Sequence, residues 1–311
     1  MKLAFVFPGQ GSQTIGMMNG FAAHPVVRET FAEASDALGD DLWKLVEEGP
    51  AEALNLTTNT QPVMLTAGVA IYRAWIASGG AKPAVVAGHS LGEYTALVAA
   101  SALAFADAVP LVRFRAQAMQ DAVPPGIGAM AAIMGGDDDA VAAACVEAAQ
   151  GQVVEPVNFN APGQVVIAGH REAVERAIGL AKQKGAKRGV MLPVSAPFHS
   201  SLLKPAADKL AARLAQVTFV PPAIPVIHNV DVAEHAAPDA IRTALAQQAA
   251  SPVRWTATVQ RMAALGVTHI VECGPGRVLA GMNKRIVDVI ESFALIDSDA
   301  INETLAALQG A

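Results

Sequence analysis

The sequence predicts an α/β protein in which a large domain built on a parallel sheet is interrupted by a smaller domain. Three segments share the order of apolar strand, glycine-containing turn and helix, which is typical of a parallel sheet. They are LAFVF before PGQGSQ, AVVAG before HSLGEYTAL, and HIVE before CGPGRVLAGM. The chain of 311 residues also exceeds the usual size of a single hydrophobic core, so a second domain is expected.

The stretch from residue 128 to residue 195 predicts that smaller domain, because its elements alternate differently. AMAAIM, VVEPVNF, QVVIAG and KRGVMLPV are typical of strands, and DDDAVAAACVEAA and REAVERAIGLAKQ of helices. In chain order these elements give βαββαβ, the ferredoxin-like arrangement. We therefore predict a large domain over residues 1–127 and 196–311 and a small ferredoxin-like domain over residues 128–195. A cleft between two such domains is a common place for a ligand.

Composition and charge exclude several classes of protein. Lysine and arginine number 22 against 28 aspartates and glutamates, a formal net charge of −6, which argues against nucleic-acid binding. Cys145 and Cys273 form no CxxC motif, so neither a disulfide framework nor a zinc site is expected. The apolar run before Pro8 is too short for a signal peptide, and the stretch from Tyr94 to Ala106 is too short to span a membrane and predicts one buried helix. We expect a cytoplasmic monomer with no metal, bound cofactor, nucleic acid or membrane contact.

Residues 88–92, GHSLG, fit the G-x-S-x-G pattern of a nucleophilic serine. A strand precedes the motif and a helix follows it, which is the context the pattern requires in an α/β-hydrolase-like domain. The sharp turn would expose the Ser90 hydroxyl, and the helix N-terminus would offer backbone N–H groups to an oxyanion. The alternative is that Ser90 only caps the helix, since serine is a favoured cap.

A serine nucleophile needs a base, and His199 is the candidate among seven histidines. It lies in LPVSAPFHSSLLKP, an irregular segment that Pro193 and Pro197 rigidify, where the smaller domain would return the chain to the larger one. That position would present the imidazole to the cleft. His228 and His269 adjoin apolar strands, and either could serve instead if it were buried beside the serine.

Arg115 is the third residue that points to chemistry. In the helix ADAVPLVRFRAQAMQDAV it aligns with Leu111, Val112, Ala118 and Met119, on an apolar stripe. A buried arginine needs an anionic partner, because an unpaired buried charge is costly. That partner is either a substrate carboxylate, held by the two-pronged guanidinium, or an Asp or Glu of this chain in a structural ion pair.

Six segments, in order from Leu3 to about Ser298, together resemble the malonyl-CoA:acyl carrier protein transacylase family. They are FVFPGQGSQTIGM, NTQPVML, GHSLGEYTAL, NFNAPGQVVIAG, LPVSAPFHSSLLKPAAD and ECGPGRVLAGMNKRI. The resemblance implies transfer of malonyl from malonyl-CoA to the phosphopantetheine thiol of acyl carrier protein, through a malonyl-serine intermediate in a ping-pong cycle. It implies a role in fatty-acid or polyketide chain elongation, with malonyl-CoA as substrate and acyl carrier protein as partner.

The resemblance also implies a role for individual catalytic residues. Ser90 matches the nucleophile and His199 its general base. A backbone carbonyl, at the position of Gln248, would orient the histidine in place of a carboxylate. The backbone N–H groups of Gln10 and Leu91 would hold the oxyanion.

Three further positions match substrate contacts. Arg115 would pair with the free malonyl carboxylate, and Asn160 would contact the thioester arm, the alternative being that Asn160 only forms the turn before Pro162. Phe198 would leave little room for a branch at the acyl α-carbon. Transacylases dedicated to fatty-acid synthesis often carry a smaller residue there, so a polyketide role stays open.

Two basic segments are candidate contacts for CoA phosphates or an acidic carrier protein. They contain Lys182, Lys184, Lys187 and Arg188, and Lys284 with Arg285. The alternative is that these are solvated charges near helix ends.

Three rival functions differ in the residues they would need. A serine hydrolase would share the serine motif but would have an acid between the serine and a late histidine, for which His269 is the candidate, and would leave Arg115 without a role. A nucleotide-binding module is disfavoured because Thr14 replaces the third glycine in GQGSQT. A carrier-docking protein without catalysis is disfavoured by the presence of both Ser90 and His199.

Overall fold

The computed structural model describes residues 1–194 and 196–309. The last residue of the predicted small domain, Ser195, and the last two of the predicted large domain, Gly310 and Ala311, lie outside the described residues. The strands are β1 (Leu3–Phe7), β2 (Val85–Gly88), β3 (Gly128–Met134), β4 (Val154–Ala161), β5 (Gln164–His170), β6 (Arg188–Met191), β7 (Val226–Ile227), β8 (His269–Cys273) and β9 (Glu291–Leu295). The helices are α1 (Pro25–Leu38), α2 (Leu42–Glu48), α3 (Ala51–Leu54), α4 (Thr57–Ala77), α5 (Gly92–Ala99), α6 (Phe105–Asp121), α7 (Asp138–Ala149), α8 (Arg171–Gln183), α9 (Lys204–Leu214), α10 (Pro238–Gln248), α11 (Trp255–Ala264), α12 (Val278–Ile286) and α13 (Ser298–Gln309).

A parallel sheet forms the centre of the larger unit, with strand order β7-β2-β1-β8-β9 among the described residues. The three predicted strand segments are β1, β2 and β8, and they are the three central strands. All of their residues are buried because helices cover both faces of the sheet. Phe5 and Phe7 pack into one core, and Ala4 and Val6 into the other. The predicted α/β fold with a parallel sheet is confirmed.

A second, antiparallel sheet has the order β4-β5-β3-β6. Its elements follow the chain as β3-α7-β4-β5-α8-β6, which confirms the predicted ferredoxin-like order. The helices α7 and α8 bury alanines and Val174 against Ile133, Val165 and Ile167 of the sheet. The domain boundaries at residues 127/128 and 195/196 stay a prediction.

An apolar cluster joins the second sheet to the larger unit. Met119 of α6, Met130 of β3 and Phe198 belong to it, together with Val157 and Leu203. Backbone hydrogen bonds add to this contact, because Phe159 donates to the Val253 carbonyl at 3.0 Å and Val253 donates to the Val157 carbonyl at 2.8 Å. The second sheet is therefore fixed beside the carboxyl ends of the parallel strands.

The prediction of one buried helix over Tyr94 to Ala106 is wrong. The structure ends α5 at Ala99 and begins α6 at Phe105, with Ser101 exposed at a φ of 58° between them. The segment turns so that Leu103 forms a bridge with Phe219. Apolar composition showed that the segment is buried but did not show this tertiary pairing. Within residues 1–194 and 196–309, no helix combines the length and apolar character that crossing a membrane requires.

The turn after β2 is packed directly against the end of β1. The His89 N–H donates to the Phe7 carbonyl at 2.9 Å. A Cβ at Gly92 would overlap the Phe7 carbonyl oxygen, and one at Gly88 would overlap the Gly92 backbone. Both glycines are therefore required by the close approach of main chain to main chain.

We expect Gly92→Ala to lower the free energy of unfolding by about 1–3 kcal/mol, because its Cβ would force β1 and α5 apart. Gly179→Ala is the matched control, since Gly179 also lies within a helix and an added Cβ meets nothing within 4 Å. That change should raise the free energy of unfolding by roughly 0.5–1 kcal/mol through helix propensity. Urea denaturation of both variants measures the difference, and equal stability of Gly92→Ala and the parent would contradict the packing described above.

Candidate active site

Ser90 lies at the tip of the turn between β2 and α5 with a φ of 52°, in the left-handed region that non-glycine residues rarely adopt. Two hydrogen bonds hold this conformation. The Ser90 N–H donates to Asn229 Oδ1 at 2.7 Å, and the Ser90 carbonyl accepts from Gln248 Nε2 at 3.0 Å. The Ser90 hydroxyl contacts His199 and Arg115 and, among the described residues, no backbone N–H of α5. The helix-cap alternative is therefore wrong.

His199 lies against the serine hydroxyl. Its Nε2 is 2.7 Å from Ser90 Oγ, and its Nδ1 is 2.8 Å from the Gln248 carbonyl oxygen. Burial, and then the positive charge of Arg115, lower the pKa of His199 to about 3. The imidazole is therefore neutral near pH 7. Its Nδ1–H donates to the carbonyl, which leaves the Nε2 lone pair to accept the serine proton.

The other two candidate histidines are engaged elsewhere. His228 is fully buried with its Nδ1 2.8 Å from Glu93 Oε1. His269 lies at the amino end of β8, whereas Ser90 follows the carboxyl end of β2, and His269 contacts Thr268 Oγ1 at 2.8 Å. Neither imidazole forms a hydrogen bond with the serine.

Gln10 and Leu91 present backbone N–H groups beside the serine. Neither N–H donates to another group within the described residues, so both are free for a ligand oxygen. A Cβ at Gly9 would lie 2.7 Å from the His89 carbonyl, which shows how closely the loop after β1 approaches the serine turn. Thr57 fixes the Gln10 side chain, because its hydroxyl donates to Gln10 Oε1 at 2.8 Å.

Arg115 is 1% exposed, and its guanidinium points at the serine. Nη2 donates to Ser90 Oγ at 3.1 Å and to Gln248 Oε1 at 2.9 Å, and Nη1 donates to Gln61 Oε1 at 2.7 Å. Among the described residues no carboxylate lies within 4.0 Å of it, and Nε has no partner. Arg113, on another face of the same helix, is the one that forms an ion pair, with Asp40 at 2.9 Å. The alternative of a structural ion pair at Arg115 is therefore wrong.

These groups line one cavity of about 720 Å³ between the parallel sheet and the second sheet. Its polar wall includes Gln10, Ser90, Arg115 and His199. Its apolar wall includes Met119, Met130, Leu192, Val194 and Phe198. The arrangement places a serine hydroxyl, a neutral imidazole, two free backbone N–H groups and a guanidinium without a carboxylate partner among the described residues around one cavity, groups that could together serve acyl transfer.

Asn160 lies beside the serine turn but is already engaged. Its Oδ1 is 2.8 Å from His89 Nε2, and the side chain is 6% exposed. Burial lowers the pKa of His89, so the neutral ring donates through Nε2 to the amide oxygen. Asn158, two residues earlier on β4, lines the cavity instead. Contact of Asn160 with a thioester arm stays a prediction.

Sequence reasoning missed several residues that hold the site together. They are Gln61, Glu93, Asn229 and the side chain of Gln248. Glu93 carried a signal, because it is a charged residue three positions after Ser90 in an otherwise apolar helix. Asn229 carried none, since it is 139 residues away in sequence from the serine it contacts.

The basic segments lie outside the cavity. Lys182, Lys184, Lys187 and Arg188 are exposed, and Lys184 forms an ion pair with Glu147 at 2.9 Å. Arg285 donates to Gln164 Oε1 and to the Pro162 carbonyl, at the turn between β4 and β5. Their contact with CoA or a carrier protein stays a prediction.

Comparison with known proteins identifies the family. The sequence model of the acyl transferase domain family matches residues 4–299. The malonyl CoA-acyl carrier protein transacylase of Escherichia coli K12 is 60% identical over 305 residues, which are 98% of this chain and 99% of that protein. The crystal structure of an acyl-carrier-protein S-malonyltransferase from Burkholderia pseudomallei is 63% identical, with a TM-score of 0.97 over 98% of this chain and 100% of that one. A malonyl-transacylase in complex with a type II polyketide synthase acyl-carrier protein is 53% identical, with a TM-score of 0.97 over 99% of this chain and 100% of that one.

Both the family match and the high-identity relatives extend over nearly the whole length of the chain. Their sequences and their folds agree with it at the same time. The chain therefore belongs to the acyl transferase domain family, among the malonyl CoA-acyl carrier protein transacylases, and is an acyltransferase.

Proposed function

We propose that this chain transfers the malonyl group from malonyl-CoA to the phosphopantetheine thiol of an acyl carrier protein, through a malonyl ester on Ser90. One observation carries the proposal: a serine paired with a neutral histidine lies 3.1 Å from a buried arginine that has no carboxylate partner among the described residues. Serine and histidine provide acyl transfer, and the arginine selects an acyl group with a free carboxylate. The related malonyl CoA-acyl carrier protein transacylases indicate malonyl-CoA as the donor and an acyl carrier protein as the acceptor.

In the first half of the cycle, Ser90 Oγ attacks the thioester carbonyl while its proton passes to His199 Nε2. The carbonyl oxygen becomes an oxyanion that accepts hydrogen bonds from the backbone N–H groups of Gln10 and Leu91. When the tetrahedral intermediate collapses, the carbon–sulfur bond breaks. The proton on His199 passes to the departing CoA sulfur, and a malonyl ester remains on Ser90.

The second half runs the same chemistry in the opposite sense. The phosphopantetheine thiol of the carrier protein gives its proton to His199 and attacks the ester carbonyl. The same N–H groups hold the second oxyanion, and Ser90 Oγ leaves with the proton from the imidazole. The cycle is therefore ping-pong, because CoA departs before the carrier thiol reacts.

Arg115 would couple recognition to the reactivity of the base. Its positive charge contributes to the low pKa of His199. A malonyl carboxylate bound to the guanidinium would offset that charge and make the imidazole a stronger base. An acetyl group would leave the buried charge without a partner and would give no such gain.

Both a fatty-acid and a polyketide role fit this chemistry. Phe198 is 9% exposed and lines the cavity, where its ring would restrict branching at the acyl α-carbon. It supports unbranched malonyl as the substrate in either pathway. The monomeric state and the cytoplasmic location stay predictions.

Intact-mass spectrometry after brief incubation with malonyl-CoA tests the proposed intermediate. The parent chain should gain one malonyl adduct, and Ser90→Ala should gain none because the only attacking oxygen is lost. Ser101→Ala is the matched control, since Ser101 also has a positive φ, 58°, but is exposed at the surface. Absence of an adduct on the parent, or its survival in Ser90→Ala, would refute the malonyl-serine intermediate.

Replacing Arg115 by Met should lower the ratio of malonyl to acetyl loading about 10- to 100-fold, because the charged hydrogen bonds to the carboxylate are lost. The measurement is the rate constant of acyl-enzyme formation from each CoA ester. Arg113→Met removes an arginine two residues away on the same helix and should leave the ratio unchanged. An unchanged ratio in Arg115→Met would mean that another group reads the carboxylate.

The low pKa of His199 predicts an unusual pH profile. Because the imidazole stays neutral down to about pH 3, acetyl loading of the parent should change little between pH 8 and 5. A histidine with an ordinary pKa would be roughly 3% neutral at pH 5, and loading would fall about 30-fold. Arg115→Met removes a charge that lowers the pKa of His199, so the rate of acetyl loading in this variant should begin to fall at a higher pH than in the parent. A parent profile with a midpoint near 6.5 would contradict the neutral, buried base.

A further inference from the structure

Glu93 is a buried carboxylate that the proposed cycle does not use. It lies in the first turn of α5, three residues after Ser90, and is 0% exposed. No lysine or arginine lies within 4.0 Å of it among the described residues. Burying a carboxylate costs several kcal/mol unless it is paired or hydrogen-bonded, so the donors around Glu93 must compensate for the lost water.

Three donors surround this carboxylate, and two of them lead directly to catalytic groups. Glu93 Oε1 contacts His228 Nδ1 at 2.8 Å, and Oε2 accepts from the Asn229 N–H at 2.9 Å and from Gln248 Nε2 at 2.8 Å. Asn229 in turn accepts from the Ser90 N–H and donates to the Gly88 carbonyl, both at 2.7 Å. The carboxylate thus holds the residue that fixes the serine turn.

Gln248 links the same carboxylate to the arginine. Its Nε2 donates to Glu93 and to the Ser90 carbonyl, and its Oε1 accepts from Arg115 Nη2 at 2.9 Å. Every partner has a fixed polarity, since carboxylate and carbonyl oxygens only accept and a guanidinium only donates. The amide of Gln248 therefore has one orientation, in which its oxygen faces Arg115.

We propose that Glu93 and the side chain of Gln248 are positioning residues for malonyl selectivity: Glu93 orients the Gln248 amide, and that amide holds the Arg115 guanidinium where it reads the substrate carboxylate. Gln248 then has two separate functions. Its backbone carbonyl orients His199, and its side chain orients Arg115. The inference rests on the proposed function and extends recognition of the acyl group to residues that do not line the cavity.

Four variants test whether the Gln248 amide is needed, and whether Glu93 acts through the length of its side chain or through its charge. Gln248→Met keeps the backbone carbonyl but removes the amide. Glu93→Asp keeps the charge but is one methylene too short to reach Gln248, whereas Glu93→Gln keeps the reach and an acceptor oxygen without the charge. Glu272→Asp is the matched control, because Glu272 is also 0% exposed and accepts from the Ala280 N–H at 2.8 Å, away from Arg115.

The readout is the ratio of the rate constants for acyl-enzyme formation from malonyl-CoA and from acetyl-CoA. A general loss of folding or of base function lowers both rate constants and cancels in this ratio. We expect the ratio to fall fivefold or more in Gln248→Met and Glu93→Asp, and to stay within fivefold of the parent in Glu93→Gln and Glu272→Asp.

Any other pattern overturns the inference. An unchanged ratio in Gln248→Met would show that the other contacts of the guanidinium, with Gln61, Ser90 and the Tyr94 ring, suffice to position the arginine. If the ratio falls in Glu93→Gln but not in Glu93→Asp, Glu93 acts through its negative charge and not through its hydrogen bond to Gln248. If the parent chain forms no malonyl adduct, the proposed function itself fails. If the parent loads malonyl and all variants keep its selectivity, only the present inference fails.

Discussion

The candidate active site depends on the strained main chain of Ser90. A serine with φ of 52° persists only where the surroundings determine its conformation, and here side chains from two distant segments do so, Asn229 on its N–H and Gln248 on its carbonyl. The close packing of α5 on the end of β1 leaves the turn no room to relax. As a result the hydroxyl faces the cavity, between His199 and Arg115.

Charge in this buried region is arranged with few direct ion pairs. Arg115 and Glu93 carry opposite charges and are separated by the neutral amide of Gln248. A direct ion pair would satisfy both and leave the arginine with little affinity for a substrate carboxylate. The intervening amide partly satisfies the guanidinium while Nε stays without a partner among the described residues. A buried charge kept incompletely paired is unfavourable for stability and suited to binding a charged ligand.

The second sheet contributes to the site through its attachment as well as through its lining residues. Val253, which forms the hydrogen bonds with β4, lies five residues after Gln248, the last residue of α10. The contact that attaches the second sheet therefore also fixes the end of α10. Met130 and Phe198 belong to the apolar cluster between the two units and also line the cavity. The shape of the cavity and the relative placement of the two sheets are therefore set by the same contacts.

Local patterns in the sequence were sufficient for much of this protein. Strand, turn and helix signals predicted the parallel sheet and the βαββαβ order, because those signals come from neighbouring residues. The GHSLG motif placed Ser90 on a strand-to-helix turn for the same reason, and helical periodicity placed Arg115 on a buried face. Apolar composition was misleading between Tyr94 and Ala106, where the bridge from Leu103 to Phe219 breaks the helix.

The tertiary structure decided which of these residues meet. Ser90 and His199 are 109 positions apart. The proline-containing segment before His199 indicated that its imidazole faces the cleft, but no local pattern showed that it contacts Ser90. The absence of a carboxylate at Arg115 among the described residues, and the polar links from Glu93 through Gln248, likewise depend on packing between separate elements. The sequence by itself therefore determined the elements and the reactive groups, because hydrogen bonding and amphipathicity within an element are local. Only the folded chain determined their pairing, because a buried polar group takes whichever partner packing brings to it.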